Sequence, residues 1–519
     1  MTAAKQKELE NVIPLQTKTT APFKGLEFTD EELEEFSKFK SDTRLKAAPK
    51  KFANTDIGNS QRLAHYLKGE VLFVCAKDSK KGAGSWLAWD GKRWAADYQA
   101  VVDKYKEVVE KKIPLEFESQ DEDWIAFLKW VNKSASASSI RAAIELAASD
   151  DQIREYPESF DKKPKYLNCL NGCLNLETGK LEDFNPDHRS TKIANFNYRQ
   201  ELLEDANTGK YRWNSFIQEV LPDEATREYV LLCIGKAITG IIENPKLLFL
   251  KGGGRNGKGV FVKTISKLLD SYHATAHINL FCSVQKAATD VERSSPMLRS
   301  LVGARLVTAE EPERGSRWHE SVIKMVLSGN TPFLTRGNYE SAISAEPFPL
   351  IIVSSNFHPK TRDMGHSFFR RYVEIPFNQQ FSKPDLTLED RLLSELEQDY
   401  IGTSLCQKAM QYQKDLSKLD ELPEAAKAAN DKYRLNNDSF SAWLNETRER
   451  CSGVSELAKE AYEDYKVYCD GQGLDCESFT DFKDKIMENG YILSKGRANA
   501  LFIRNIAKKA DQGDPDDQL

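Results

Sequence analysis

The sequence predicts an α/β protein. Its centre is a parallel sheet that carries a glycine-rich loop, with a mixed α+β region before it and helices after it. Three observations carry this. Between residues 246 and 377, short apolar runs alternate with helical spacing, the pattern of strands joined by crossover helices. One run, residues 246–250, leads into KGGGRNGKG and then VFVKTISKLLD, whose Phe261, Ile265, Leu268 and Leu269 share a helical face. The flanks differ from this centre: hairpin signals upstream (Asp90-Gly91, Asn171-Gly172, Thr178-Gly179), and Leu-, Ala-, Glu- and Lys-rich helical spacing downstream.

Composition bounds the rest. At about 150 residues per domain, the 519 residues suggest three or four domains. With 40% apolar and 29% charged residues, the chain can build packed cores. No apolar run reaches the roughly 18 residues of a membrane span, and the N-terminus lacks a secretory apolar core. Nine cysteines, sparse and odd in number, argue against a disulfide framework and for a reducing, cytoplasmic compartment: that of a bacterial host if a phage or mobile element encodes the chain. The net charge of −6 argues against a protein that coats nucleic acid by charge alone.

Along the chain, residues 1–55 read as a flexible tail, with Lys and Glu in bulk and little periodicity. Residues 56–205 read as a mixed α+β domain. Val71-Leu72-Phe73-Val74 is a buried strand, a hairpin follows at Asp90-Gly91, and helical spacing runs from Tyr98 to Ile153. Trp86, Trp89 and Trp94 on that hairpin can stack on bases, but aromatics on a short hairpin more often pack a small core. Cys169 and Cys173, with His188 beyond, invite a zinc reading. Their spacing is not CxxC and no second pair follows, so buried thiols on a hairpin are expected. Residues 206–385 form the motor with its leading helices, and 386–437 a helical lid. Residues 438–510 read as three helices and a short strand pair near 491–493 and 501–503, and 511–519 as an acidic disordered tail.

The motif at residues 252–258 is G-x-x-x-x-G-K. Gly252, Gly253, Gly254, Arg255, Asn256, Gly257, Lys258, Gly259 and Val260 make up the expected nucleotide-binding segment. Glycines let the backbone fold into a nest of N–H groups facing phosphate oxygens, and a helix N-terminus adds positive potential. Lys258 reaches the outer phosphates as a point charge. Gly259 departs from the pattern, which normally has a Ser or Thr that binds magnesium there. About 50 residues on, the run Ala304 to Ala309 ends in Glu310-Glu311, which suits a Walker B element. One carboxylate holds Mg²⁺ and the other polarises the attacking water. A third run, residues 349–353, leads to Ser354-Ser355-Asn356, where an amide can bond the γ-phosphate or the lytic water. Arg370-Arg371 then offers guanidinium groups for transition-state charge, supplied in ring ATPases by a neighbouring subunit.

This order resembles superfamily 3 helicases, a branch of the AAA+ ATPases, and more narrowly the phage, plasmid and poxvirus primase-helicase family. The loop has the family form GxGxNGK. Lys324-Met325-Val326-Leu327-Ser328-Gly329-Asn330 followed by Arg336 matches the segment before the sensor strand, and Arg370-Arg371 with Ile375-Pro376-Phe377 matches the closing RR…IPF. Trp89-Asp90-Gly91 with Trp94, and the two later glycine turns, are similar to the domain that precedes the family's core. Residues 438–510 are similar to its winged-helix ending, so the likeness covers residues 57–508. It implies a homo-oligomeric, usually hexameric ring that uses ATP and Mg²⁺ to move 3′→5′ on single-stranded and forked DNA, with the site between subunits. By resemblance Lys258 binds phosphate, Glu310 holds the metal, Glu311 activates water, Asn356 is the sensor and Arg371 is the preferred finger. Glu310 and Glu311 can exchange roles, as can Arg370 and Arg371. A DNA-contacting hairpin is expected near residues 335–345, where Arg336 pairs with phosphate and Tyr339 stacks on a base. The winged helix is expected to present Lys483 and Lys485 on its recognition helix and Lys495 and Arg497 on its wing. The 55 residues ahead of the match are too few for the family's primase domain, so no primase activity is expected and a separate primase or polymerase is implied. Two other readings remain: an ATP-binding initiator or scaffold with little hydrolysis, and a different DNA-translocating ring ATPase.

Charge is unevenly placed. Residues 245–377 hold 18 Lys/Arg against 11 Asp/Glu, so the motor segment carries +7 inside a chain whose total is −6. A ring that threads DNA needs positive charge only along its channel.

Overall fold

The computed structural model describes residues 52–75, 84–116, 124–163, 165–205, 208–283, 296–336, 343–361, 366–383, 385–472, 474, 476–496 and 500–509. Of the tail expected at 1–55, residues 1–51 lie outside them, as does the tail expected at 511–519. The chain divides into two compact units, one ending at Phe160 and one beginning at Asp161.

In the first unit, α1 (Asp56–Tyr66) starts at Thr55, whose hydroxyl accepts the Gly58 N–H at 3.1 Å. β1 (Val71–Cys75), β2 (Gly84–Trp89) and β3 (Trp94–Ala96) form an antiparallel meander. α2 (Tyr98–Glu107), α3 (Trp124–Ser134) and α4 (Ala137–Ala147) come next, and β4 (Arg154–Glu155) adds in parallel to β1. The Asp90 carboxylate closes the β2–β3 turn by accepting the N–H groups of Lys92 (2.8 Å) and Arg93 (2.7 Å). Trp86 packs on Phe73 with ring centroids 5.2 Å apart, and Trp94 is buried against Trp89 at 5.7 Å. Trp86 belongs to the core shared with the helices, whereas Trp94 and Trp89 pack a small separate cluster with Leu72, Leu87 and Phe160.

The second unit opens with a meander of β5 (Tyr166–Cys169), β6 (Gly172–Asn175) and β7 (Lys180–Glu182). Cys169 and Cys173 are buried on its first two strands. Cys173 Sγ lies 3.6 Å from His188 Nδ1, and burial pushes the Cys173 thiol up to about 12. Leu167, Cys169, Leu174 and Phe196 share one core with α5 (Arg212–Val220) and α6 (Glu224–Thr239). The sequence groups residues 161–205 with the domain on their N-terminal side, but they pack against the helices and sheet on their C-terminal side. The cause is long-range burial, which no local pattern announces.

The centre is a five-stranded sheet. β8 (Lys246–Lys251) leads to α7 (Lys258–Leu269) and β9 (His273–Thr275); β10 (Cys282–Ser283) lies outside the sheet. β11 (Leu306–Glu310) is next, and β12 (Arg317–Trp318) pairs with β10. Then come α8 (Glu320–Val326), the hairpin β13 (Phe333–Thr335) and β14 (Ile343–Ala345), β15 (Leu350–Ser355), α9 (His366–Phe369) and β16 (Tyr372–Pro376). The sheet order is β16-β8-β15-β11-β9, and every neighbouring pair is parallel. Both faces are buried, which explains the near-continuous apolar runs. Leu248, Leu250, Leu306, Leu350 and Ile352 face α6 and α7, while Leu247, Phe249, Val307, Ile351 and Val353 face Trp318 and Tyr433.

Beyond the sheet run α10 (Leu388–Leu392), α11 (Glu395–Lys414) and α12 (Glu424–Asn437), with α11 lying along α6. The C-terminal module runs α13 (Ser439–Thr447), β17 (Arg448–Leu457), α14 (Ala458–Gln472), α15 (Phe479–Glu488), β18 (Ile492–Lys495) and β19 (Leu501–Lys508). It has its own core of Phe440, Trp443, Tyr465, Phe482 and Ile503. The three helices and the final strand pair lie where the spacing predicts. β17 does not: RERCSGVSEL has no alternating apolar pattern, and it is a strand because it pairs along β19 at the sheet edge.

Candidate functional site

The glycine loop lies directly after β8 at the carboxyl end of the parallel sheet, where open α/β sheets bind their ligands. Three of four consecutive residues have positive φ: Gly254 (+97°), Arg255 (+50°) and Gly257 (+81°). A Cβ on Gly252 would lie 1.9 Å from Asn256 Nδ2 and 2.5 Å from the Phe377 carbonyl oxygen, so only glycine fits that turn. Buried Asn256 pins the loop from inside by donating to Phe377 O at 3.2 Å, and Arg255 O accepts the Phe381 N–H at 2.9 Å. Gly253 and the Arg255 side chain face solvent, and Val260 is half-buried in the first turn of α7. No atom lies within 4 Å of a Cβ built on Gly259, so the space for a side chain is there although the hydroxyl is not.

Lys258 opens α7 and is buried. Its Nζ donates to Gly252 O at 2.7 Å, Asn356 Oδ1 at 3.1 Å and Asn256 Oδ1 at 3.2 Å. Burial pulls its pKa below the usual lysine value, and the nearby Glu311 carboxylate opposes that shift. Asn356 sits just past β15, and its carbonyl accepts Lys251 Nζ at 2.9 Å. Exposed Glu310 ends β11. Glu311, at φ +55°, donates its N–H to Ser354 O at 3.0 Å, which ties the carboxylate pair to β15. The fold thus gathers Lys258, Glu310, Glu311 and Asn356 at one end of the sheet.

A phosphate-bound divalent cation takes most of its ligands from phosphate and water, so one or two carboxylates suffice. Among the described residues no cluster of three or more His, Cys, Asp or Glu could hold a metal without such help. A narrow glycine cradle, a buried lysine and paired carboxylates fit ATP with Mg²⁺.

Arg370 and Arg371 sit at the opposite end of the sheet. Tyr372 is in register with Leu247, whereas Pro376 is in register with Lys251 beside the loop. Four residues of strand, roughly 13 Å, lie between the two levels. Arg371 is buried and its Nε donates to Leu327 O at 2.7 Å, with a second bond to Ser367 O; Arg370 is exposed. Both border a cavity of about 410 Å³ with Gly329 and Asn330.

The other candidates are scattered. Arg336 is exposed just after β13, in the connection of the predicted hairpin; Tyr339 lies outside the described residues, as does Arg497. Lys483 and Lys485 lie on α15. Lys483 Nζ sits 5.2 Å from the Phe479 ring, but Lys485 Nζ is held by Glu477 at 2.6 Å and Asp438 at 3.3 Å. Lys495 is exposed at the end of β18. Two features escape sequence reading. Lys251 pins Asn356, and its position directly before the loop is the only hint. His358 pairs with Glu374 at 2.8 Å just past β15, a contact that the sheet creates between residues with no shared motif.

Residues 60–222 match the family described as D5 N terminal like. A protein of Acanthamoeba polyphaga mimivirus named "Putative helicase" is 26% identical over 225 residues, covering 43% of this chain and 23% of its own length. A protein of Frog virus 3 with the same style of name is 25% identical over 176 residues, 33% of this chain and 18% of its own. The chain thus matches less than a quarter of the length of these curated relatives. A solved structure titled as the apo NrS-1 C terminal region (305-718) covers 86% of this chain and 99% of its own, at 12% identity and a TM-score of 0.43, too distant to bear on function. Within the described residues no helix is long and apolar enough to cross a membrane. At this level the chain is similar to D5-like helicase-type replication proteins.

Proposed function

We propose that the protein is an ATP-dependent replicative DNA helicase of the superfamily 3 type, a homo-oligomeric ring that moves 3′→5′ on single-stranded and forked DNA. The contact of Lys258 with Asn356 carries this reading, because it joins the phosphate loop to the sensor position as a nucleotide motor requires. The strand order supports it too: β15 lies between β8 and β11, so the loop, Asn356 and the carboxylate pair follow neighbouring strands. The C-terminal order of helix, strand, two helices and two strands is that of a winged helix.

In this reading the loop N–H groups and Lys258 hold the outer phosphates. Lys258 exchanges its bonds to Gly252 O and Asn256 Oδ1 for phosphate oxygens. Glu310 faces the metal, and Mg²⁺, when bound, neutralises charge developing on the transferred phosphoryl. Glu311 takes the proton of the attacking water, and Asn356 orients that water or the γ-phosphate. The exposed Arg370, at the far end of the sheet from its own loop, serves a neighbouring subunit. Buried Arg371 anchors it, reversing the order of preference drawn from sequence. Exposed Arg336, with Lys483 and Lys495 of the C-terminal module, meets DNA.

The test is steady-state ATPase with and without single-stranded DNA, then unwinding of forks with 3′ or 5′ tails. Turnover stimulated by DNA and displacement from 3′ tails are expected. No turnover in the wild type would leave the initiator or scaffold reading, and displacement from 5′ tails alone would favour another ring motor.

A further inference from the structure

Gly259 leaves the site one hydroxyl short of the usual P-loop set. The sheet supplies a substitute. Along β15, Leu350 and Ile352 pack in the core with Phe261, Ile265 and Leu268 of α7, while Ile351 and Val353 face the other core. Side chains alternate with period two, so Ser354 lies on the α7 face. β11 alternates likewise, with Leu306 on the α7 side and Val307 and Ala309 opposite, which places Glu310 on the same face. Glu310 and Ser354 are direct register partners on adjacent strands, about 4.8 Å apart. Two residues beyond Ser354, Asn356 receives Lys258 Nζ at 3.1 Å, so this face at this level is where the phosphate lysine lies.

Ser354 is only 5% exposed, yet among the described residues its hydroxyl has no hydrogen-bond partner. Its neighbour Ser355 differs: that hydroxyl donates to Phe357 O at 2.6 Å and accepts the Phe357 N–H at 2.9 Å. A serine hydroxyl on this face with no protein bond to give up, beside a carboxylate and near a phosphate-binding lysine, is suited to a ligand.

We infer that Ser354 supplies the hydroxyl of the divalent-cation site and, with Glu310, holds the sheet side of the cation that arrives with ATP. The inference rests on the nucleotide reading proposed for the loop. Its test uses the full chain with Mn²⁺ as the probe, titrated by electron paramagnetic resonance in the presence of ADP, and ADP binding measured separately in EDTA. Ser354→Ala is expected to weaken Mn²⁺ binding about 10- to 100-fold. ADP affinity in EDTA should stay within about twofold and the melting temperature should not fall, since the hydroxyl has no protein partner to lose. Adding Gly259→Ser, which has room for its side chain, should restore most of the Mn²⁺ affinity. Mn²⁺ affinity unchanged by Ser354→Ala, in a wild type that binds Mn²⁺ with ADP, overturns the inference alone. So does an equal loss of ADP affinity in EDTA. A wild type that binds neither ADP nor Mn²⁺ overturns the nucleotide reading itself.

Discussion

Lys258 Nζ donates to Asn356 Oδ1 across 3.1 Å, joining the first residue of α7 to the end of β15, two elements 98 residues apart. The same ammonium also bonds Gly252 O and Asn256 Oδ1, so the protein's own oxygens surround it. Lys258→Ala should therefore lower ATP turnover by about 100- to 1000-fold, and Asn356→Ala by about 100-fold, the loss typical of one preorganised donor. Steady-state ATPase with melting curves checks both; loss of turnover with a normal melt is expected.

Arg370 and Arg371 should separate by phenotype. Arg371→Ala orphans the carbonyls of Leu327 and Ser367 inside the fold and should cost about 1–3 kcal/mol, read by urea unfolding. Arg370→Ala should leave stability within about 0.5 kcal/mol and abolish turnover. Mixing Arg370→Ala with Lys258→Ala subunits should recover part of the activity, since one kind of mixed interface holds both intact groups. Failure to recover any would remove support for a shared site.

Lys236 is buried on α6 and donates to Asn244 O at 2.7 Å. Burial lowers its pKa to about 7, with Lys246 adding to that shift and Cys233 and Glu243 opposing it. An unfolded lysine titrates near 10.4. Between those values the unfolded chain binds more protons, so stability should rise with pH from about 7 to 10 and be flat with respect to this group below 7. Lys236→Met should remove about one proton of that slope, roughly 1.4 kcal/mol per pH unit, in urea melts taken at several pH values. A slope unchanged by the variant would show that Lys236 stays charged in the fold. Lys246, also lowered by burial, should retain its own share of the slope.

The C-terminal lysines should not behave alike. Lys483→Ala and Lys495→Ala should each weaken DNA binding and reduce the salt dependence by about one phosphate contact. Lys485 is occupied by Glu477 and Asp438, so Lys485→Ala should leave the salt slope intact and cost up to about 1 kcal/mol of stability. Fluorescence anisotropy across a salt series separates the two outcomes.

The local features were legible in the sequence because each has a local cause. Glycines mark a loop that only they can turn, as at Gly252; apolar runs mark strands buried on both faces; and Asp90-Gly91 marks a hairpin that its own carboxylate closes. These features determined that a glycine loop stands before a helix, with carboxylates and an asparagine at the ends of later strands. Only the tertiary structure decided the rest. It set the sheet order that brings Asn356 to Lys258, the burial that separates Arg371 from Arg370, and the ion pairs that occupy Lys485. It also made β17 a strand despite its polar text, and joined residues 161–205 to the core of the five-stranded sheet. In each case the deciding energy comes from partners far along the chain, through strand pairing, desolvation or a charge from another element. A residue's own neighbours in sequence carry no record of those partners.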